Sequence, residues 1–185
     1  MATTNTLSRS LHDVGLATWF GGTLANAVAL NPAAGEAKDK ASAGAVANAG
    51  WDRWTPVNAA AIGAHTVGAL GQLAGNRQRL ATQKGVASMA LAKTALTGAA
   101  LGATAYSRVL GRKVSEHGAV PAESGTEPSA FTPKDAAGAQ RQLRILQWVV
   151  PALTGALVVV SSLAGEQQRP RQVRRGISSR LGLRS

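Results

Sequence analysis

Four long stretches of this chain carry almost no charge, and that segregation constrains the fold more than any other feature. Residues 14–35 and 54–76 contain no Asp, Glu, Lys or Arg, residues 85–107 are interrupted only by Lys93, and residues 145–165 contain none. Each run is about 22 residues, enough for a helix rising ~1.5 Å per residue to cross a ~30 Å hydrocarbon layer. A water-facing helix of this length needs a charged face at ~3.6-residue spacing, and these runs have none. The expected fold is therefore all-α: a four-helix transmembrane bundle with spans at about 12–33, 54–76, 83–108 and 145–165, inside a membrane domain of residues 1–168. The competing architecture is a soluble alanine-rich bundle, because the runs are built from Ala and Gly more than from Leu and Ile.

The connections carry the charge. A basic segment around Arg77 and Arg79 predicts a tight antiparallel turn between the second and third spans. Residues 111–132, with Pro121 and Pro128, predict a long exposed loop between the third and fourth. A basic tail, residues 169–185, follows the last span. Helix starts are expected at Ser10 with Asp13 three residues on, at Thr55-Pro56 and at Thr132-Pro133. Stops are expected at Asn31-Pro32 and at Gly111. Trp51 and Trp54 are placed at an interfacial aromatic belt, and Pro151 predicts a kink. The formal charge of +11 divides into +8 on the side of the termini, +2 on the opposite side and Lys93 at membrane depth, a distribution that leans toward both termini in the cytoplasm.

Chemistry is conspicuous by what the sequence omits. With 185 residues and no cysteine, thiolate metal sites, disulfides and cysteine nucleophiles are excluded. The three histidines show no metal-ligand spacing, and no phosphate loop or nucleophile elbow occurs, so no catalytic residue, metal or cofactor is expected. Counting from the turn at Arg79 puts His65 and Lys93 at matching depth, with Asn26 and Thr154 near the same level, which makes Lys93, His65, Asn26 and Thr154 a candidate ligand or proton site. The alternative role for these groups is interhelical hydrogen bonding. His12 is placed at a helix start, away from His65, and no carboxylate is found in the four uncharged runs to balance Lys93. Gly21, Gly22, Gly68, Gly71, Gly75, Gly98 and Gly102 are the expected helix-packing glycines. Arg169, Arg171, Arg174 and Arg175 are expected to contact anionic lipid head groups, and with no aromatic residue after Trp148 to stack on bases, nucleic acid is not the expected partner.

Leu11-His12, followed by Trp19-Phe20-Gly21-Gly22, resembles the first helix of small four-helix bacterial membrane proteins of the copper-resistance-D-like type and related families. The resemblance implies a four-helix membrane bundle. Copper transport is not carried over, since this chain has no cysteine and only Met1 and Met89. The expected function is that of a non-enzymatic integral protein of a bacterial plasma membrane, an accessory or scaffold subunit with a homo- or hetero-oligomeric membrane partner, or a small-ligand binder. The alternatives are a small transporter or proton-coupled channel and a soluble basic protein that binds nucleic acid.

Overall fold

The computed structural model describes residues 3–82, 85–118 and 120–166. They form helices α1 (Thr3–Ala25), α2 (Asn31–Ala34), α3 (Lys40–Gly75), α4 (Arg77–Thr82), α5 (Val86–Ser115) and α6 (Lys134–Glu166), with a two-stranded ribbon of β1 (Ala122–Ser124) and β2 (Glu127–Pro128). A single π-helical turn, Asn26–Leu30, joins α1 to α2. The fold is thus mostly helical, and four long helical rods carry it. Helix α1 lies antiparallel along α3, α5 along α6, and α1 also crosses α6; α3 and α5 approach each other at few points.

Backbone proximity explains the α1–α3 pairing. A Cβ on Gly15 would stand 2.5 Å from the Ala61 carbonyl, one on Gly68 would stand 2.3 Å from the His12 nitrogen, and one on Gly22 would overlap the Trp54 ring. Gly71 meets the Ser8 side chain in the same way. Small residues let two helices come close enough for dispersion contacts to accumulate along their full length. The remaining expected packing glycines divide differently: Gly21, Gly98 and Gly102 face open space, and Gly75 closes α3 at an exposed position.

Several predicted helix ends move. Helix α1 starts at Thr3, so Ser10 and Asp13 lie within it and Asp13 instead accepts a bond from His12. Helix α3 starts at Lys40 and runs through Pro56. Its true cap is Asp39, whose carboxylate accepts from the Ser42 backbone N–H and hydroxyl, each at 2.8 Å. The alanine-rich segment 41–49 favours helix, and α3 runs about four turns before the proline. Asn31-Pro32 does not stop the first rod either, because the wider π turn, in which the Asn31 N–H reaches the Asn26 carbonyl, lets the chain continue into α2 with Pro32 in its first turn. Helix α5 runs past Gly111 to Ser115.

Residues 120–132 are not the exposed loop their composition predicts. Val120, Ala122, Thr126 and Thr132 are buried, and Val120 packs with Leu110, Val114, Ala136 and Ala139 in a small apolar core at this end. The ribbon is fastened by Lys40–Glu123 and Arg144–Glu127 ion pairs and by the Gly125 N–H donating to the Asn31 carbonyl at 3.0 Å. Alternation over two and three residues is too short to read as strand.

Two of the described helices, α5 and α6, are long and apolar enough to cross a membrane. Helices α1 and α3, also expected as spans, are long but do not reach that measure, being diluted by Gly, Thr, Ser, Asn and, toward their ends or middle, by charged residues such as Asp13, Asp52 and Arg53. Leu16, Trp19, Val150 and Leu157 are buried between the rods, yet many large apolar side chains lie on the surface while several uncharged polar ones lie inside. Leu91 is 70% and Ile145 66% exposed, and Val14, Val28, Val67, Leu70, Val109, Val159 and Leu163 are exposed as well. His12, Thr23, Asn26, Asn31, His65, Gln140 and Thr154 are buried.

Candidate functional site

The interior polar groups gather where α1 crosses α3. His65, 0% exposed, stacks on His12, 1% exposed, with ring centroids 4.5 Å apart and planes tilted by 45°. Trp19 closes the other side of His65 at 6.0 Å and donates its indole N–H to the Thr104 hydroxyl at 3.3 Å. His65 Nδ1 lies 3.3 Å from the His12 carbonyl oxygen, which only accepts, so Nδ1 carries the proton and Nε2 accepts from the Thr97 hydroxyl at 3.4 Å. The same logic puts a proton on His12 Nδ1, 2.7 Å from the Asp13 carboxylate. That leaves His12 Nε2 as a buried nitrogen with no partner.

Three cavities flank this cluster. A cleft of about 310 Å³ between α3 and α5 is lined by His12, Thr66, Leu70, Gln72, Leu73, Met89, Lys93, Thr97 and Leu101. A second, about 290 Å³, lies on the other side of Lys93 and is lined by Arg9, Asp13, Leu16, Gln72 and Ser161. A third, about 300 Å³, continues the α3–α5 seam toward the ribbon, past Leu101 to Trp54, Asn58, Thr104 and Arg108. Clefts persist along this seam because α1 holds α3 and α6 holds α5, while the small residues of α5 do not fill the space between.

The predicted site residues are partly brought together. His65 is level with Thr97, one helical turn beyond Lys93, because α4 and Asn76 lengthen the connection that the count from Arg79 treated as a bare turn. His12, expected elsewhere, joins His65 because α1 begins about two turns before the predicted start. Asp13, one residue before the first uncharged run, is a carboxylate on the side of Lys93; it shares the second cavity with it. Thr154 is buried near this level, but its hydroxyl donates to the Val150 and Pro151 carbonyls of its own helix at 2.9 and 3.3 Å. Asn26 lies in the π turn, about four helical turns from His12, so the four groups do not make one layer.

A second polar hub was invisible in the sequence. Asn31, expected to end a helix, is buried and ties four elements: its Nδ2 donates to Gln147 Oε1 at 2.8 Å, its Oδ1 accepts from Trp51 Nε1 at 3.0 Å, and its carbonyl holds the ribbon through Gly125. Trp51 and Trp54 thus turn inward instead of forming an outer belt, Trp54 lying over Gly22. Outside the helical interior, His117 is 2.8 Å from Asp135, a hydrogen bond that holds the Asp135 carboxyl below its ordinary value, and the Ser42 N–H does the same to Asp39. Among the described residues no group of three or more His, Cys, Asp or Glu is arranged to hold a metal ion. Arg169, Arg171, Arg174 and Arg175 lie outside the described residues. Comparison with protein-family models, with curated proteins and with solved structures returned no match.

Proposed function

We propose that this protein is a non-catalytic integral protein of a bacterial plasma membrane, a four-helix transmembrane bundle that binds a small ligand in the seam between α3 and α5. The carrying observation is the extent of exposed apolar surface on α5 and α6, where Leu91, Val109, Ile145, Val159 and Leu163 are exposed, beside buried His12, His65 and Thr154. In water, that exposed apolar surface is a liability; in lipid it is the solvent-matched face. The basic tail beyond α6 adds attraction to anionic head groups.

Alkaline carbonate extraction of membranes from expressing cells tests the placement. Retention in the pellet, with release only by detergent, is expected; recovery in the carbonate supernatant would overturn it. A second reading, a small transporter, is favoured by Leu101, which lines both seam clefts and so separates two cavities along one path. Solute flux into proteoliposomes that rises on Leu101→Ala supports that reading, and absence of flux supports the static binder.

A further inference from the structure

Building on the membrane reading, we infer that the cleft between α3 and α5 is a binding site for a single-chain amphiphile with a carboxylic acid head, seated on Lys93, Gln72 and His12. Beside Thr66, Asn76, Thr94 and Thr97, three polar groups line this mainly apolar cleft with a donor or acceptor unmet. Gln72 Nε2 is buried and makes no hydrogen bond, His12 Nε2 is buried and makes none, and Lys93 forms no ion pair among the described residues. Asp13, the nearest acidic candidate, is bonded to His12 Nδ1. Unmet hydrogen-bonding capacity inside a buried cleft is costly, and a ligand that supplies the missing partners recovers it.

The unmet groups comprise one acceptor and two donors, which is the complement of a carboxyl group. A neutral acid arriving from lipid offers its O–H to His12 Nε2. Transfer of that proton leaves a carboxylate and a protonated His12 held by Asp13, and both carboxylate oxygens then accept, from Lys93 Nζ, from Gln72 Nε2 and from the new His12 Nε2–H. The rest of the cleft, including Leu70, Leu73 and Met89, suits an alkyl chain. Its volume of about 310 Å³ is at the low end for small-molecule sites, room for one chain and too little for a two-chain phospholipid. The loosely closed α3–α5 seam opens the cleft sideways, so a chain enters from the bilayer.

The test uses the full chain in nanodiscs of zwitterionic lipid, titrated with a conjugated polyene fatty acid and, separately, with its methyl ester, with energy transfer from the tryptophans as readout. Saturable binding of the acid, displaced by oleate, with the ester at least about tenfold weaker, is expected, since the ester loses both the proton and the charge. Lys93→Met is expected to weaken the acid about tenfold or more and leave the ester unchanged, and Lys93→Arg to restore part of the loss; circular dichroism and gel filtration establish that each variant is folded. Equal affinity for acid and ester, no saturable binding of the acid, or an unchanged acid affinity in a folded Lys93→Met protein would each overturn the inference. A protein that stays in the carbonate pellet but fails this titration loses the ligand and keeps the membrane reading, whereas carbonate release removes both.

Discussion

His12 and His65, 53 positions apart, lie ring against ring at 4.5 Å, and the proton on His65 Nδ1 points at the backbone of the helix that carries His12. The contact stitches α1 to α3 at the level where His65 also meets Thr97 of α5. His65→Ala removes a fully buried ring and leaves a void under Trp19, so a loss of about 2–4 kcal/mol is expected, within the range for large-to-small core changes. Thr97→Val keeps the volume and removes one hydroxyl, for about 1 kcal/mol or less. Reversible unfolding in mild detergent, followed through tryptophan fluorescence, checks the ratio; equal effects would mean that the ring is not packed as described.

The glycines of α1, α3 and α5 are expected to split into two classes. Gly15→Ala and Gly68→Ala each place a methyl inside 3 Å of the partner backbone, which cannot swing away as a side chain can. Each should cost about 1–3 kcal/mol by overpacking. Gly21→Ala, Gly63→Ala and Gly98→Ala meet nothing within 4 Å and should be neutral or slightly stabilising, since alanine favours helix by up to about 1 kcal/mol. Thermal midpoints of the five variants in one detergent decide the matter.

Asn31→Ala should loosen one whole end of the molecule. It strands Trp51 Nε1 and Gln147 Oε1, and each buried group left unpaired costs about 1–3 kcal/mol. Limited proteolysis is the sharper readout, because the Gly125 anchor sits on the same residue: cleavage within 120–128 should accelerate while the helices stay intact.

Lysine substitutions on the outward face separate lipid from water. Ala99 and Ala156 are exposed near the centres of α5 and α6. In lipid, Ala99→Lys or Ala156→Lys should cost about 2.5–3.5 kcal/mol of insertion, whereas on a water-exposed helix either is nearly neutral. A glycosylation-based insertion assay compares them with the parent; unchanged insertion of both would count against the membrane placement.

Acid should release the ribbon end before it unfolds the bundle. The carboxyls of Asp135 and Asp39 both sit below their ordinary value, Asp135 through His117 and Asp39 through Ser42. A depressed carboxyl stabilises the fold at pH above its unfolded value, about 3.9, and that contribution disappears as pH falls through the lower folded value. Ribbon-end protection from proteolysis or hydrogen exchange should therefore be flat from neutral pH to about pH 4 and decline below it. Asp135→Asn should lower protection at neutral pH and flatten the decline.

How much of this could be read in advance follows from the kind of information each residue carries. The long helices are legible because absence of charge over 20-odd residues is a property of the chain itself. Their ends are not, because Asp13, Thr55-Pro56 and Asn31-Pro32 have the local chemistry of caps and breakers but serve His12, the interior of α3 and the Trp51–Gln147 hub. Depth counting found His65 near Lys93 to within one turn and missed His12, since it inherited the wrong start of α1. Nothing local marks Val120 and Ala122 as buried; Val120 is covered by α5 and α6, and the strand of Ala122 packs on α3.

The π turn at Asn26–Leu30 holds one residue more than a regular helical turn would need. Removing a single residue there, such as Ala29, would let the rod heal into unbroken α-helix, and every position beyond it would swing by about 100°. Asn31 would then leave Trp51 and Gln147, and Pro32 would press its ring on a regular turn with no slack to receive it. The register of one end of the molecule is thus written as a length, so this segment should tolerate substitutions more readily than a deletion.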